Sequence, residues 1–235
     1  MTQFSDALDQ LDWLAIYGHL DADGYAVIPG LLAADRAREL ARRTDFDGKT
    51  RRMPLVTTEL GQGDLFYFDQ NLPDPWQSLH EAFYPKLAAI ANSWNERLDI
   101  SYRYPEELSA FLQQCSAAGQ KRGQSYLSRL SAGDYVALHQ RSDAEHVFPM
   151  QVVALLTTPG DDFLGGEFVM TEQRPRMQSR PLVVPLKLGD VAIITTAQRP
   201  IKGTRGDYRV NLKHAISRVR QGERIGVELT FHHFV

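Results

Sequence analysis

At 235 residues, 43% hydrophobic and 23% charged, the chain is long enough to bury a substantial core without disulfides or a structural metal. No apolar run approaches the roughly 18 residues of a membrane helix, and "MTQFSDALDQLDWLAIYGHLD" is acidic where a secretory leader starts basic, so a cytoplasmic protein with no membrane partner is expected. A single cysteine excludes an internal disulfide framework, and the net charge of −3 hides an asymmetry: Thr171–Arg224 holds twelve Lys or Arg against four Asp or Glu, a bias suited to an anionic or nucleic-acid partner.

In chain order, "DGYAVIPGLL" (Asp23–Leu32) predicts a strand stopped by a Pro-Gly turn, and "AADRARELARR" predicts a short helix. A loop-rich region follows. Leu79, Phe83, Leu87, Ile90 and Trp94 recur every three or four residues, which predicts helix between Trp76 and Leu98, kinked or divided at Pro85. A second helix is expected from Pro105, with Leu108, Phe111, Leu112 and Cys115 on one face and Gly119 as terminator. Cys115 has no second thiol and no evident base near it, and reads as core filling.

From Tyr126 the period becomes two and β-branched residues accumulate. Strands are expected near Tyr126–Leu130, Tyr135–Arg141, Met150–Thr158, Glu167–Thr171, Leu182–Leu186, Val191–Thr196, Tyr208–Ser217 and Arg224–His232. The turns "TTPGDD", "LGG", "LGD" and "RQGE" separate several of them. The pattern suggests a mainly β protein with flanking helices (α+β), a double-sheet jelly roll. One domain spans 1–235 in this reading, with 1–120 mostly helical support and 121–235 the jelly-roll core.

In "YRVNLKHAIS", Tyr208, Val210, Leu212, His214 and Ile216 share one face, so His214 points inward with apolar neighbours. A lone inward histidine is usually a core residue, but His139 ends another candidate strand, and paired imidazoles inside a jelly roll are a common way to hold a divalent metal. A metal-binding His-x-Asp pair aims two side chains at one ion, because residues i and i+2 of a strand face the same way. In "ALHQRSDAEHVFP" the place two residues after His139 holds Arg141. Arg224 follows a Gly-containing turn ten residues beyond His214, where the return strand of a hairpin is expected; a guanidinium there is suited to clamping a carboxylate. On a regular strand Arg224, Gly226, Glu228 and Thr230 share a face. "EQRPRMQSR" (Glu172–Arg180) carries three arginines in a loop, suited either to phosphates or to local salt bridges. His146 reads as ordering a loop, and His232 and His233 as a strand end.

The order of these features resembles the iron(II) and 2-oxoglutarate dependent oxygenase superfamily: "LHQ", "FLGGEFVM", "VPLKLGDVAII" and "HAISRVRQGER". The blocks "YPKLAAIANSWN", "SAGDYVALHQ", "EHVFPMQVVALLTTPGDDFLGGEFVMTEQRPRMQSR" and "RPIKGTRGDYRVNLKHAISRVRQG" are similar to one bacterial family of such oxygenases, described as acting on damaged DNA by oxidative demethylation. The resemblance implies a distorted double-stranded β-helix (jelly roll, cupin-like) that uses iron(II), oxygen and 2-oxoglutarate as cosubstrate. His139 matches the proximal metal ligand, His214 the distal ligand, and Arg224 the arginine that pairs with the distal carboxylate of 2-oxoglutarate. The departure is Arg141, where the family has its metal-binding aspartate; a guanidinium does not coordinate iron and is repelled by it. Three readings follow. Asp143 or Glu145 takes the carboxylate's place, or Arg141 swings outward and leaves a two-histidine site, or the chain is a catalytically impaired binding or regulatory protein.

Overall fold

The computed structural model describes residues 3–43, 50–204 and 206–235; Arg205, within the "RPIKGTRGDYRV" block, lies outside them. The chain opens with helices α1 (Gln3–Asp9) and α2 (Trp13–Asp23), strand β1 (Tyr25–Ile28), helix α3 (Ala34–Arg42) and strands β2 (Thr50–Pro54), β3 (Gly61–Gln62) and β4 (Asp64–Phe68). Helices α4 (Trp76–Arg97) and α5 (Leu108–Ala117) follow. Ten strands complete it: β5 (Tyr126–Ser131), β6 (Tyr135–His139), β7 (Met150–Leu155), β8 (Phe163–Gly165), β9 (Phe168–Gln173), β10 (Arg180–Val184), β11 (Val191–Thr195), β12 (Gln198–Gly203), β13 (Gly206–Ile216) and β14 (Val219–Thr230).

Two antiparallel sheets face each other as a jelly roll. The larger runs β1-β11-β7-β14-β5-β4-β2 with β8 on β14, and the smaller runs β10-β9-β13-β6-β3 with β12 on β13. Alternation along the larger sheet splits its side chains between two cores. Leu127, Val152, Ala154, Ile193, Val227 and Leu229 pack toward the helices, while Tyr126, Leu130, Val153, Leu155, Ala192 and Ile194 face the smaller sheet. The sheets draw on the first 120 residues too, through β1 to β4, so that region is more than helical support.

Several local expectations change. Helix α4 runs unbroken through Pro85, held by a buried face that includes Leu79, Phe83, Leu87, Ile90 and Trp94. Helix α5 begins at Leu108 rather than Pro105, because Asn92, Asn95 and Tyr84 on α4 bond the backbone of Tyr102, Tyr104 and Pro105. The expected hairpin from His214 to Arg224 is absent: β13 belongs to the smaller sheet and β14 to the larger, and the chain crosses between them at Ser217–Arg218. "RQGE" is a bulged part of β14, not a turn. Gly222 (φ +74°) pairs with Phe163 of β8, and a Cβ there would meet the Asp162 carbonyl at 1.9 Å.

Candidate active site

The site lies between the two sheets. Strand β6 pairs with β13 in a register that sets His139 opposite His214, both buried, with ring centroids 4.3 Å apart. Phe168 of β9 stacks on the other side of His214, at 5.8 Å and 5° between planes. His139 Nδ1 lies 2.9 Å from the Ala137 carbonyl oxygen, which places the proton on Nδ1 and leaves Nε2 as a lone pair; Nε2 is buried and has no partner. Burial, then His214 and Arg141, push the His139 pKa down to about 3, so the imidazole is neutral at physiological pH.

Strand β14 brings its polar face from the opposite sheet. Arg224 pairs with Leu130 and Glu228 with Tyr126 and Val153, all facing the smaller sheet. Arg224 is 3% exposed, and its Nε has no partner. Burial lowers its pKa to about 10 against the favourable charge of Glu228, which leaves it cationic at neutral pH. It lines a cavity of about 240 Å³ walled by Leu155, Phe163, Gly166, Phe168 and Leu186 among others. The histidine pair is not in that wall; Phe168 is common to both.

Glu228, 3% exposed, was not singled out by the sequence. Its Oε2 lies 3.4 Å from His214 Nε2 and accepts a 2.9 Å hydrogen bond from Gln151 Nε2, while Oε1 has no partner. Burial opposes the charge, but His214, through its hydrogen bond and charge, and then Arg141 outweigh it and hold the carboxyl at about 2. Alternation puts Glu228 on the Arg224 face, and its burial follows from the central place of β14 between β7 and β5; a carboxylate buried there needs a partner.

Arg141 is placed differently from expectation. Strand β6 ends at His139, because Gln140 turns its side chain to the Leu212 carbonyl (2.7 Å) and so replaces the ladder. Arg141 is nonetheless buried. Its guanidinium carbon lies 4.9 Å from the centroid of the Tyr126 ring, and it donates to Gln124 Oε1 at 2.8 Å and to the Tyr67 hydroxyl at 3.4 Å. Burial works against its charge, but Tyr126, Tyr67 and Glu228 together raise its pKa above the ordinary value. It has not swung out to solvent. Asp143 and Glu145 are exposed and do not enter the site, so neither fills the missing carboxylate's position. Cys115 is buried on α5, away from this chemistry. His146 ties its loop to Gln120, and His232 is buried beyond β14, where its Nδ1 accepts from the Phe148 backbone.

Residues 63–234 match the family described as "Oxygenase, catalysing oxidative methylation of damaged DNA". The chain belongs to this family. It is also 40% identical over 156 residues to the uncharacterized Mycobacterium tuberculosis protein Rv2227, covering 66% of this chain and 67% of that one. Among solved structures, a Pseudomonas putida prolyl-4-hydroxylase aligns over 95% of this chain and 100% of its own, with TM-score 0.56 and 14% identity. An oxidoreductase of the 2OG-Fe(II) oxygenase family from Burkholderia pseudomallei aligns over 96% and 94%, with TM-score 0.53 and 17% identity. A Trichoplax adhaerens prolyl hydroxylase aligns over 100% and 94%, with TM-score 0.57 and 10% identity. These likenesses establish the shared fold, and the Burkholderia oxidoreductase is by its name an enzyme of iron(II) and 2-oxoglutarate.

The donors present suit such a metal in kind. Two imidazoles and one carboxylate are the set that non-haem iron(II) takes, and both His139 Nε2 and Glu228 Oε1 are buried without a partner. Among the described residues no three His, Cys, Asp or Glu side chains are yet drawn around one point. The Gln151 amide nitrogen sits beside two of the donors, 3.3 Å from His214 Nε2 and 2.9 Å from Glu228 Oε2.

Proposed function

We propose that this chain is an iron(II) and 2-oxoglutarate dependent dioxygenase that hydroxylates or oxidatively demethylates a substrate of nucleic-acid type. The observation that carries the reading is the facing pair His139 and His214 with Arg224 buried on the strand across from them. Iron(II), 2-oxoglutarate and oxygen together supply an oxidant strong enough to attack an unactivated C–H bond, and hydroxylation of an N-methyl group is followed by loss of formaldehyde. His139 and His214 hold the metal. Arg224 offers a dry guanidinium to the far carboxylate of the cosubstrate, a charge-assisted pair that fixes its orientation. Phe168, which stacks on His214 and also lines the Arg224 cavity, places an apolar ring between the metal ligands and the cosubstrate's arginine.

The nucleic-acid class is supported by the family's description and by exposed cations. Arg209 and Lys213 project from the outer face of β13, Arg176 from the β9–β10 connection and Arg180 from the start of β10. Of the three arginines in "EQRPRMQSR", Arg174 is engaged with Glu172, which leaves the other two for phosphates. The test is to supply iron(II), 2-oxoglutarate and an N-methylated single-stranded oligonucleotide, and to measure succinate and formaldehyde. Both are expected in equal amounts; succinate without formaldehyde removes the substrate class.

Arg141 favours a second reading, in which the chain binds 2-oxoglutarate without turning it over. Saturable 2-oxoglutarate binding with no succinate formed in the presence of iron(II) would select it.

A further inference from the structure

We propose that Glu228 supplies the carboxylate that Arg141 has displaced, so that the metal centre of this chain is His139, His214 and Glu228, assembled from three strands in two sheets. The inference rests on the oxygenase reading for its metal, but not for its geometry.

A carboxylate two residues after His139 would lie beside the ladder of β6 and β13. Glu228 reaches the same histidines from across the barrel, from β14 of the larger sheet. Its Oε2 stands 3.4 Å from His214 Nε2, and two donors that each sit roughly 2 Å from a shared ion lie within about 4 Å of one another. The remaining ligating atoms are idle: Glu228 Oε1 and His139 Nε2 are buried and unpartnered, a costly state for a polar group with no ligand to meet.

Charge accounts for Arg141 and Glu228 together. Arg141 and Arg224 are both buried, and Glu228 is the carboxylate whose charge acts on both of them. Glu228 restores a negative charge at the histidines, and Arg141 is drawn off them onto the Tyr126 ring, Gln124 and Tyr67. Arg141 then becomes a positioning residue behind the carboxylate.

Cobalt(II) alone is the probe, titrated into the wild-type chain and into Glu228→Gln, Arg141→Asp and the double variant, with visible absorption reporting the ligand field. Wild type is expected to take one equivalent. Glu228→Gln should weaken binding at least about a hundredfold, and the double variant, which returns a carboxylate to position 141, should recover most of it. Unchanged affinity and unchanged bands in Glu228→Gln overturn the proposal, as does a wild type that binds no cobalt. Near-UV circular dichroism checks each variant's fold. If Glu228→Gln does not fold, Glu228→Asp replaces it, retracting the carboxylate by one methylene; altered cobalt bands are then expected, and unaltered bands overturn the assignment. Succinate assays separate the two levels. Glu228-dependent cobalt binding without succinate from wild type leaves this centre standing and removes the oxygenase reading, whereas succinate formation indifferent to Glu228→Gln does the reverse.

Discussion

Gly166 lies directly against Arg224: a Cβ built on the glycine would come within 3.0 Å of the Arg224 Cδ, 3.1 Å of Val219 Cγ2 and 3.2 Å of Phe163 Cδ2. The second glycine of "FLGG" therefore sets where the buried guanidinium rests. Gly166→Ala must also adopt φ +66°, which costs a residue with a Cβ about 1–2 kcal/mol. We expect a correspondingly lowered stability and weaker 2-oxoglutarate binding by calorimetry. Unaltered affinity in the folded variant would show that Arg224 does not depend on this contact.

Arg224 itself is tested by replacement with Gln. A charge-assisted pair in a partly dry pocket contributes roughly 1.5–3 kcal/mol, so 2-oxoglutarate affinity should fall about ten- to a hundredfold. Equal affinity of wild type and variant counts against the assignment.

A structural ion pair gives a prediction away from the site. Arg199 has a fully buried side chain and donates to Glu172 and to the carbonyls of Asp21 and Ala22, joining β12, β9 and the end of α2. Arg199→Met keeps the apolar stem but strands the buried carboxylate of Glu172 and both carbonyls. The expected loss is about 3–5 kcal/mol in urea denaturation. A loss under about 1 kcal/mol would mean that Arg174, also bonded to Glu172, suffices.

His80 predicts an acid limit on stability. It is buried against Phe231, with Nε2 2.8 Å from the Thr230 carbonyl oxygen, and burial lowers its pKa to about 4, with smaller effects from that hydrogen bond and from His233. The unfolded chain, with an ordinary value near 6.5, binds the extra proton first, so stability is full above about pH 6.5 and falls as pH drops toward 4. The linked loss approaches about 3 kcal/mol. Replacement by Gln should flatten the dependence of melting temperature on pH in that window; an unchanged slope assigns the acid sensitivity elsewhere.

Much of the barrel could be read from alternation, because β5, β7, β11 and β13 are regular and buried where apolar residues recur. The inward direction of His214 followed from that rule alone. Strands β2 and β4 escaped notice because "RRMPLVTTELGQGDLFYF" is broken by Pro54, Gly61 and Gly63, whose effect on pairing depends on partners distant in sequence. Pro200 similarly disguised β12, an edge strand that tolerates the missing donor. The Arg141 contacts were beyond local pattern: β6 stops at His139 because Gln140 finds a carbonyl on β13, 72 residues away in sequence. Glu228 was placed on the correct face with Arg224, but a glutamate among alternating residues gives no sign that both sides of its strand are covered.

Strand β14 carries both Arg224 and Glu228, and it joins β5, β7 and β8, all made earlier in synthesis. As the nascent chain leaves the ribosome, the two histidines are already translated while the cationic and acidic groups that complete their surroundings are still missing. Pairing of this one strand closes the central gap in the larger sheet and delivers both charges in a single event. A slip of one residue would turn both charges toward the helices and Ile225, Val227 and Leu229 into the barrel. Correct assembly of the pocket is thereby coupled to the same register that closes the apolar core.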